Sequence, residues 1–330
     1  MSVSETLLDL YDIVLPKVEK ISARSWRFSM MEKERIRYRF HVSYHISHNE
    51  NYICCVGRSV NLYDIHTGER KACLRGMGHP NYSAFTGDNR LVVKFATGYY
   101  AVYDLASMEL IQKIKPPKGV HGADANFMIT PDNRYIISFA EIFPYSQLAL
   151  IEMKTGTYQV FDLNRAATCM LFPGKSSGEY YVAGYWRSND GGIGSRGSTR
   201  VLSFCYPFEK LELHQVLQTD LCASVSKLSF VRERFAFAGD SDTVYICDGD
   251  LDGAIRMRYD RDGVLYHLEL SESGAYLALA TSFKVYVYHV ATQKCVKTFD
   301  VDDACYASFY DNDTKLFIGT WHAGYLIDLV

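Results

Sequence analysis

Proline is scarce in this chain, at 8 of 330 residues, and tryptophan scarcer still, at 3. No apolar run reaches the ~18 residues that a membrane-spanning helix takes, so no such span is expected. The opening stretch MSVSETLLDLYDIVLP lacks a basic segment followed by a continuous apolar one, so no signal peptide is expected. Excess charge is also missing: the formal net charge is -3, which disfavours a nucleic-acid binder driven by bulk positive charge. C-x-x-C, H-E-x-x-H and G-x-S-x-G are all absent, which disfavours a zinc finger, a zincin and an elbow-type serine hydrolase. The cysteines number nine, an odd and irregularly spaced set without a disulfide framework. A reducing cytoplasm is the expected setting. Cys205, Cys247 and Cys305 lie in apolar runs, where a thiol acts as a small buried hydrophobe.

What the chain does have is apolar content of 48% and aromatic content of 14%, with 25 Tyr and 18 Phe. That bias favours strands and excludes disorder as the main state. A strand-like run that ends in a polar or acidic residue recurs seven times. Its closing positions are Asp64, Asp104, Glu152, Cys205, Asp248, His289 and Asp328, separated by 40, 48, 53, 43, 41 and 39 residues. The mean of 44 is the period of a four-stranded propeller blade. About 20 residues before most of these positions comes a turn and a β-rich run, as in TGDNRLVVKFA (86–96), TPDNRYIISFA (130–140) and DNDTKLFIGT (311–320). After them, TGER, KTGT and ATQK turn the chain into a further short strand.

TPDNRYIIS resembles the second-strand turn of WD-repeat propellers, and NLYDIHTGERKACLRGMGH resembles their third strand, turn, fourth strand and Gly-His pair. The resemblance spans roughly 34–330. The chain has no Trp-Asp dipeptide, and Gly78-His79 is its one clean Gly-His pair, so the family's internal hydrogen-bond network is not carried over. The fold expected is all-β: one seven-bladed propeller of four-stranded antiparallel blades over 34–330. Residues 34–41 (ERIRYRFH) are expected to close the ring against 324–330 and remove two open edges. Residues 1–33 read as a helical extension, with Leu7, Leu8, Tyr11, Leu15 and Val18 at helical spacing and Pro16 as a kink. That helix either packs on the propeller or mediates self-association.

Several motif matches fall in loop slots. Gly192, Gly194 and Gly197 are followed by a strand where a dinucleotide site needs a helix. Gly174-Lys175-Ser176 sits in a hairpin slot, which excludes a phosphate loop. Asp248, Asp250 and Asp252 open like a calcium loop, but position 12 is Tyr259, so an acidic turn is expected. His41, His45 and His48 lack a carboxylate at ligand spacing and read as surface or closure-strand residues. No motif implies a cofactor.

On a propeller, fourth-to-first and second-to-third connections share one face. The candidate binding residues there are His79, His121, Arg165, Phe143, Tyr145, Trp186, Arg187, Arg196, Trp321 and His322. The 186–199 loop is the centre of this set, because Trp and Arg are the residue types of interface hot spots. The expected function is a non-catalytic scaffold binding a protein or peptide, with an acidic or phosphorylated segment suited to the arginines. The alternative is a lactonase-like hydrolase with a divalent ion at the central channel, held by Asp124, Asp220, Asp262 and Asp302.

Overall fold

The computed structural model describes residues 25–27, 43–47, 49, 51–57, 59–74, 78–122, 125–142, 145–163, 166–174, 176–186, 198–208, 210–219, 227–231, 234–238, 242–248, 254–260, 262–321 and 323–329. They form seven antiparallel sheets arranged as a seven-bladed β-propeller. Blade 1 covers 43–74, blade 2 80–114, blade 3 121–162, blade 4 166–219, blade 5 227–258, blade 6 265–300 and blade 7 304–328. In blade 3 the innermost place is shared by His121–Gly122 and Met128–Ile129, both paired with Tyr135–Ile142. Among the described residues there is no helix, and so none long and apolar enough to cross a membrane. The expected helical extension lies mostly outside them.

All seven closing positions of the sequence repeat are the last residue of a third strand. The cause is local. Asp64 Oδ1 accepts the N–H groups of His66 and Thr67, at 3.0 and 2.8 Å. Asp104 does the same for Ala106 and Ser107, at 3.0 and 2.7 Å. A short carboxylate at the strand end thus nucleates the turn into the fourth strand. The first hairpin turns use another device. Asn89 (φ 65°) and Asn133 (φ 55°) take the left-handed conformation that TGDNR and TPDNR require.

Ring closure is by a strand from the N-terminal segment, but not the one expected. Ser25–Arg27 pairs with Ala323–Asp328, Ser25 opposite Tyr325 and Arg27 opposite Ala323. It is the fourth strand of blade 7. The closing strand therefore lies within 1–33 rather than at 34–41, and 34–41 lies outside the described residues.

The core is divided among the seven blade interfaces. Each neighbouring pair shares one apolar cluster, from Leu62, Val93 and Tyr103 between blades 1 and 2 to Phe317, Tyr44 and Ile53 between blades 7 and 1. Adjacent strand residues face opposite ways, so Cys54 serves the blade 1–2 interface and Cys55 the blade 7–1 interface. Cys247 and Cys305 are buried as expected, whereas Cys205 is exposed, because it ends its strand at the turn.

The innermost strand of each blade has an edge that no further strand covers, and its polar groups need partners. Side chains from a neighbouring blade supply several. Ser43 Oγ donates to the Asn81 carbonyl at 3.0 Å. Asn126 accepts the Leu171 N–H at 2.8 Å and donates to its carbonyl at 2.7 Å. Ser229 Oγ accepts the Leu270 N–H at 2.9 Å. Lys94 is 1% exposed, and its Nζ donates to the Ala125 carbonyl at 2.8 Å and to Ser138 at 3.2 Å. These rungs fix the register of the ring where apolar packing alone is non-directional.

Candidate functional site

The expected binding face is formed by the fourth-to-first and second-to-third connections. Its clearest part lies over blades 6 and 7. Residues 259–260 and 262–264 lead into blade 6, and Ser282-Phe283 turns between that blade's second and third strands. The two are held close. Val264 N–H donates to Ser282 Oγ at 3.0 Å. Gly263 sits with φ 155°, and a Cβ there would meet Ser282 at 2.7 Å. Backbone bonds run from Asp303 N–H to the Ser282 carbonyl (2.8 Å) and from Trp321 N–H to the Asp303 carbonyl (3.2 Å), tying blade 7 to blade 6.

Apolar groups stand out on this framework. Phe283 is 55% exposed and Val264 49%. Trp321 is partly buried and meets Tyr266 edge-on, with ring centroids 5.6 Å apart. Exposed carboxylates lie on the neighbouring connections and strand ends, Asp260, Asp300, Asp302 and Asp303, with the partly exposed Lys284 next to Phe283. The result is an apolar patch with an acidic rim.

Of the candidate binding residues, Trp321 and His79 are on this face; His79 is exposed, and its carbonyl accepts the Ala96 N–H at 2.8 Å. His121 and Tyr145 lie on strands of blade 3. Phe143, Arg165, Arg187, Arg196 and His322 lie outside the described residues. Trp186 requires a correction. It ends the strand Glu179–Trp186, is 3% exposed and donates its indole N–H to the Leu163 carbonyl at 2.8 Å. Tyr180 and Val182 share its face by strand alternation, and all three belong to the blade 3–4 core. Trp186 is a core residue with its donor satisfied, not a surface anchor.

Of the four aspartates considered for a channel metal, Asp124 and Asp220 lie outside the described residues. Asp262 accepts from Thr281 Oγ1 at 2.6 Å and lies 3.9 Å from Lys284 Nζ, and Asp302 is exposed on the next connection. Among the described residues no three His, Cys, Asp or Glu side chains are grouped as a metal site. His45 also differs from expectation: it lies on the innermost strand of blade 1, and burial lowers its pKa to about 4.

A cavity of about 370 Å³ lies at the other end of the channel. Its lining comes from inner strands and first hairpin turns: Phe172 of blade 4, Ser229 of blade 5, His267, Glu269 and Glu272 of blade 6, and Phe309 of blade 7. Glu269 Oε1 accepts both Ser308 Oγ at 2.7 Å and the Phe309 N–H at 3.1 Å. Burial pushes this carboxyl up to about 7, although both hydrogen bonds favour its charged form. Sequence reasoning missed this site. The available signal was LYHLEL, an inner strand with His and Glu where a core strand has little reason to carry charge.

Comparison with protein-family models and with curated proteins finds no match to this chain.

Proposed function

We propose that the protein is a non-catalytic interaction scaffold that seats a partner protein or peptide on its loop face, as the WD-repeat propellers it resembles do. The observation that supports this is the exposure of Phe283 and Val264 beside Trp321 and Tyr266, on connections fixed by backbone hydrogen bonds. Rigid apolar side chains on a stiff frame lose little entropy on binding. The acidic rim favours a partner segment that is apolar with basic flanks. An acidic or phosphorylated segment remains the proposal for Arg187 and Arg196. Self-association through residues 1–33 is proposed only from their spacing. A cytoplasmic setting is supported by the free thiols Cys54, Cys55, Cys73, Cys169 and Cys305.

The test is affinity capture with the full chain, comparing wild type, Val264→Ser/Phe283→Ser and Glu269→Gln. A partner held by wild type and Glu269→Gln, and lost by the double variant, is the expected result. Equal retention of every captured protein by all three chains would overturn the reading.

A further inference from the structure

The channel cavity is independent of the loop face, since it lies at the hairpin-turn end of the ring. Three features define what it would accept. Its volume, about 370 Å³, is within the range of small-ligand sites, ~300–1,000 Å³, and admits one long side chain. Phe172 and Phe309 supply aromatic walls from blades 4 and 7. The third feature is charge. Glu269 and Glu272 line the space, and no lysine or arginine does among the described residues.

Glu269 is held in a particular way. Both its hydrogen bonds go to Oε1, from Ser308 and Phe309 of blade 7. Oε2 has no hydrogen bond to the described residues and belongs to a side chain that lines the cavity. One oxygen thus anchors the carboxylate, and the other remains for a ligand. An anion would meet that carboxylate and Glu272. An apolar group would leave the carboxylate without compensation. A planar or tetrahedral organic cation would satisfy it and lie against aromatic faces.

We propose that this cavity binds a guanidinium or alkylammonium side chain presented by a basic peptide. The ionisable groups that face Glu269 are His267 and Glu272 on its own blade, and Tyr306 and Asp313 on blade 7. Burial, and after it the nearby Asp313 charge, keep the carboxyl partly protonated near neutrality. Cation binding needs the ionised form, so it strengthens as pH rises.

The test uses the full chain and two peptides, acetyl-Gly-Arg-Gly-amide and its citrulline counterpart, followed by calorimetry and NMR titration. At pH 8 the arginine peptide is expected to bind wild type at least about tenfold more tightly than Glu269→Gln. Wild-type binding is expected to weaken roughly tenfold at pH 6, where a carboxyl titrating near 7 is about one-tenth ionised. The citrulline peptide should not compete. Equal binding of both peptides, equal binding by Glu269→Gln, or no binding up to about 10 mM overturns the proposal. Should Glu269→Gln fail to unfold cooperatively, Phe172→Leu replaces it, and unchanged arginine-peptide affinity in that variant overturns the aromatic contribution and with it the proposed ligand class.

Discussion

Gly319 shows how one residue can close a ring. It lies on the second strand of blade 7, under the ring of Tyr44 from blade 1. A Cβ at 319 would stand 2.5 Å from that ring, a distance no packed side chain tolerates. Tyr44 is fixed in turn: its hydroxyl donates to the Thr320 carbonyl, and its ring lies 5.4 Å from those of both Tyr306 and Phe317. It therefore has no easy direction in which to yield. Gly319→Ala is expected to destabilise the fold by about 1–3 kcal/mol, the usual cost of overpacking. Urea midpoints measure it. In a Tyr44→Leu background the same substitution should cost clearly less, because the colliding atoms are gone. Additive effects of the two changes would show that the contact does not exist in solution.

At the scale of the element, the closing strand carries the sharpest expectation. Ser25–Arg27 covers the edge of Ala323–Asp328, which would otherwise present open backbone groups. Deleting residues 1–24 leaves that strand in place and serves as the reference. Deleting residues 1–27 removes it, and a loss on the order of 2 kcal/mol with concentration-dependent aggregation is expected. Equal melting and equal solubility of the two truncations would refute closure by this strand. What was readable in the sequence follows from the same distinction between local and remote causes. The ends of the third strands were legible because Asp64 and Asp104 make their turns with residues two and three positions on. The closing strand was not, since a three-residue SWR segment has little pattern of its own, whereas ERIRYRFHV alternates better. Trp186 read as a loop residue because its strand runs on to the edge of a Gly-rich stretch. Only the face shared with Tyr180 and Val182 shows that it points into the core. Glu269 escaped notice because a side chain on an inner strand acquires its neighbours only when blades 4, 5, 6 and 7 come together.

At the scale of the whole molecule, the ring depends on its interfaces, and one of them titrates. Glu269 joins blade 6 to blade 7 through Ser308 and Phe309, and burial raises its pKa from an ordinary 4.5 to about 7. A carboxyl whose folded pKa lies above its unfolded one holds its proton more firmly in the fold. Its contribution to stability is fully present below about 4.5 and is lost as pH rises through about 7. His45, lowered to about 4 by burial, acts in the opposite direction, since its place on the inner strand favours the neutral ring and the fold weakens as pH falls below the range of an ordinary histidine. Raw stability curves therefore mix the two. Comparison with Glu269→Gln separates them, because His45 is common to both chains and cancels. The amide oxygen of Gln can accept from Ser308 and Phe309 as Oε1 does, so the rung survives without a titrating proton. The stability of wild type relative to Glu269→Gln should fall between pH 5 and pH 8, with most of the change complete by pH 7.5. A difference that stays flat across that range would mean that the carboxyl titrates as an exposed glutamate does. The cavity would then hold Glu269 as bulk water does, and the pH dependence expected for cation binding there would fail with it.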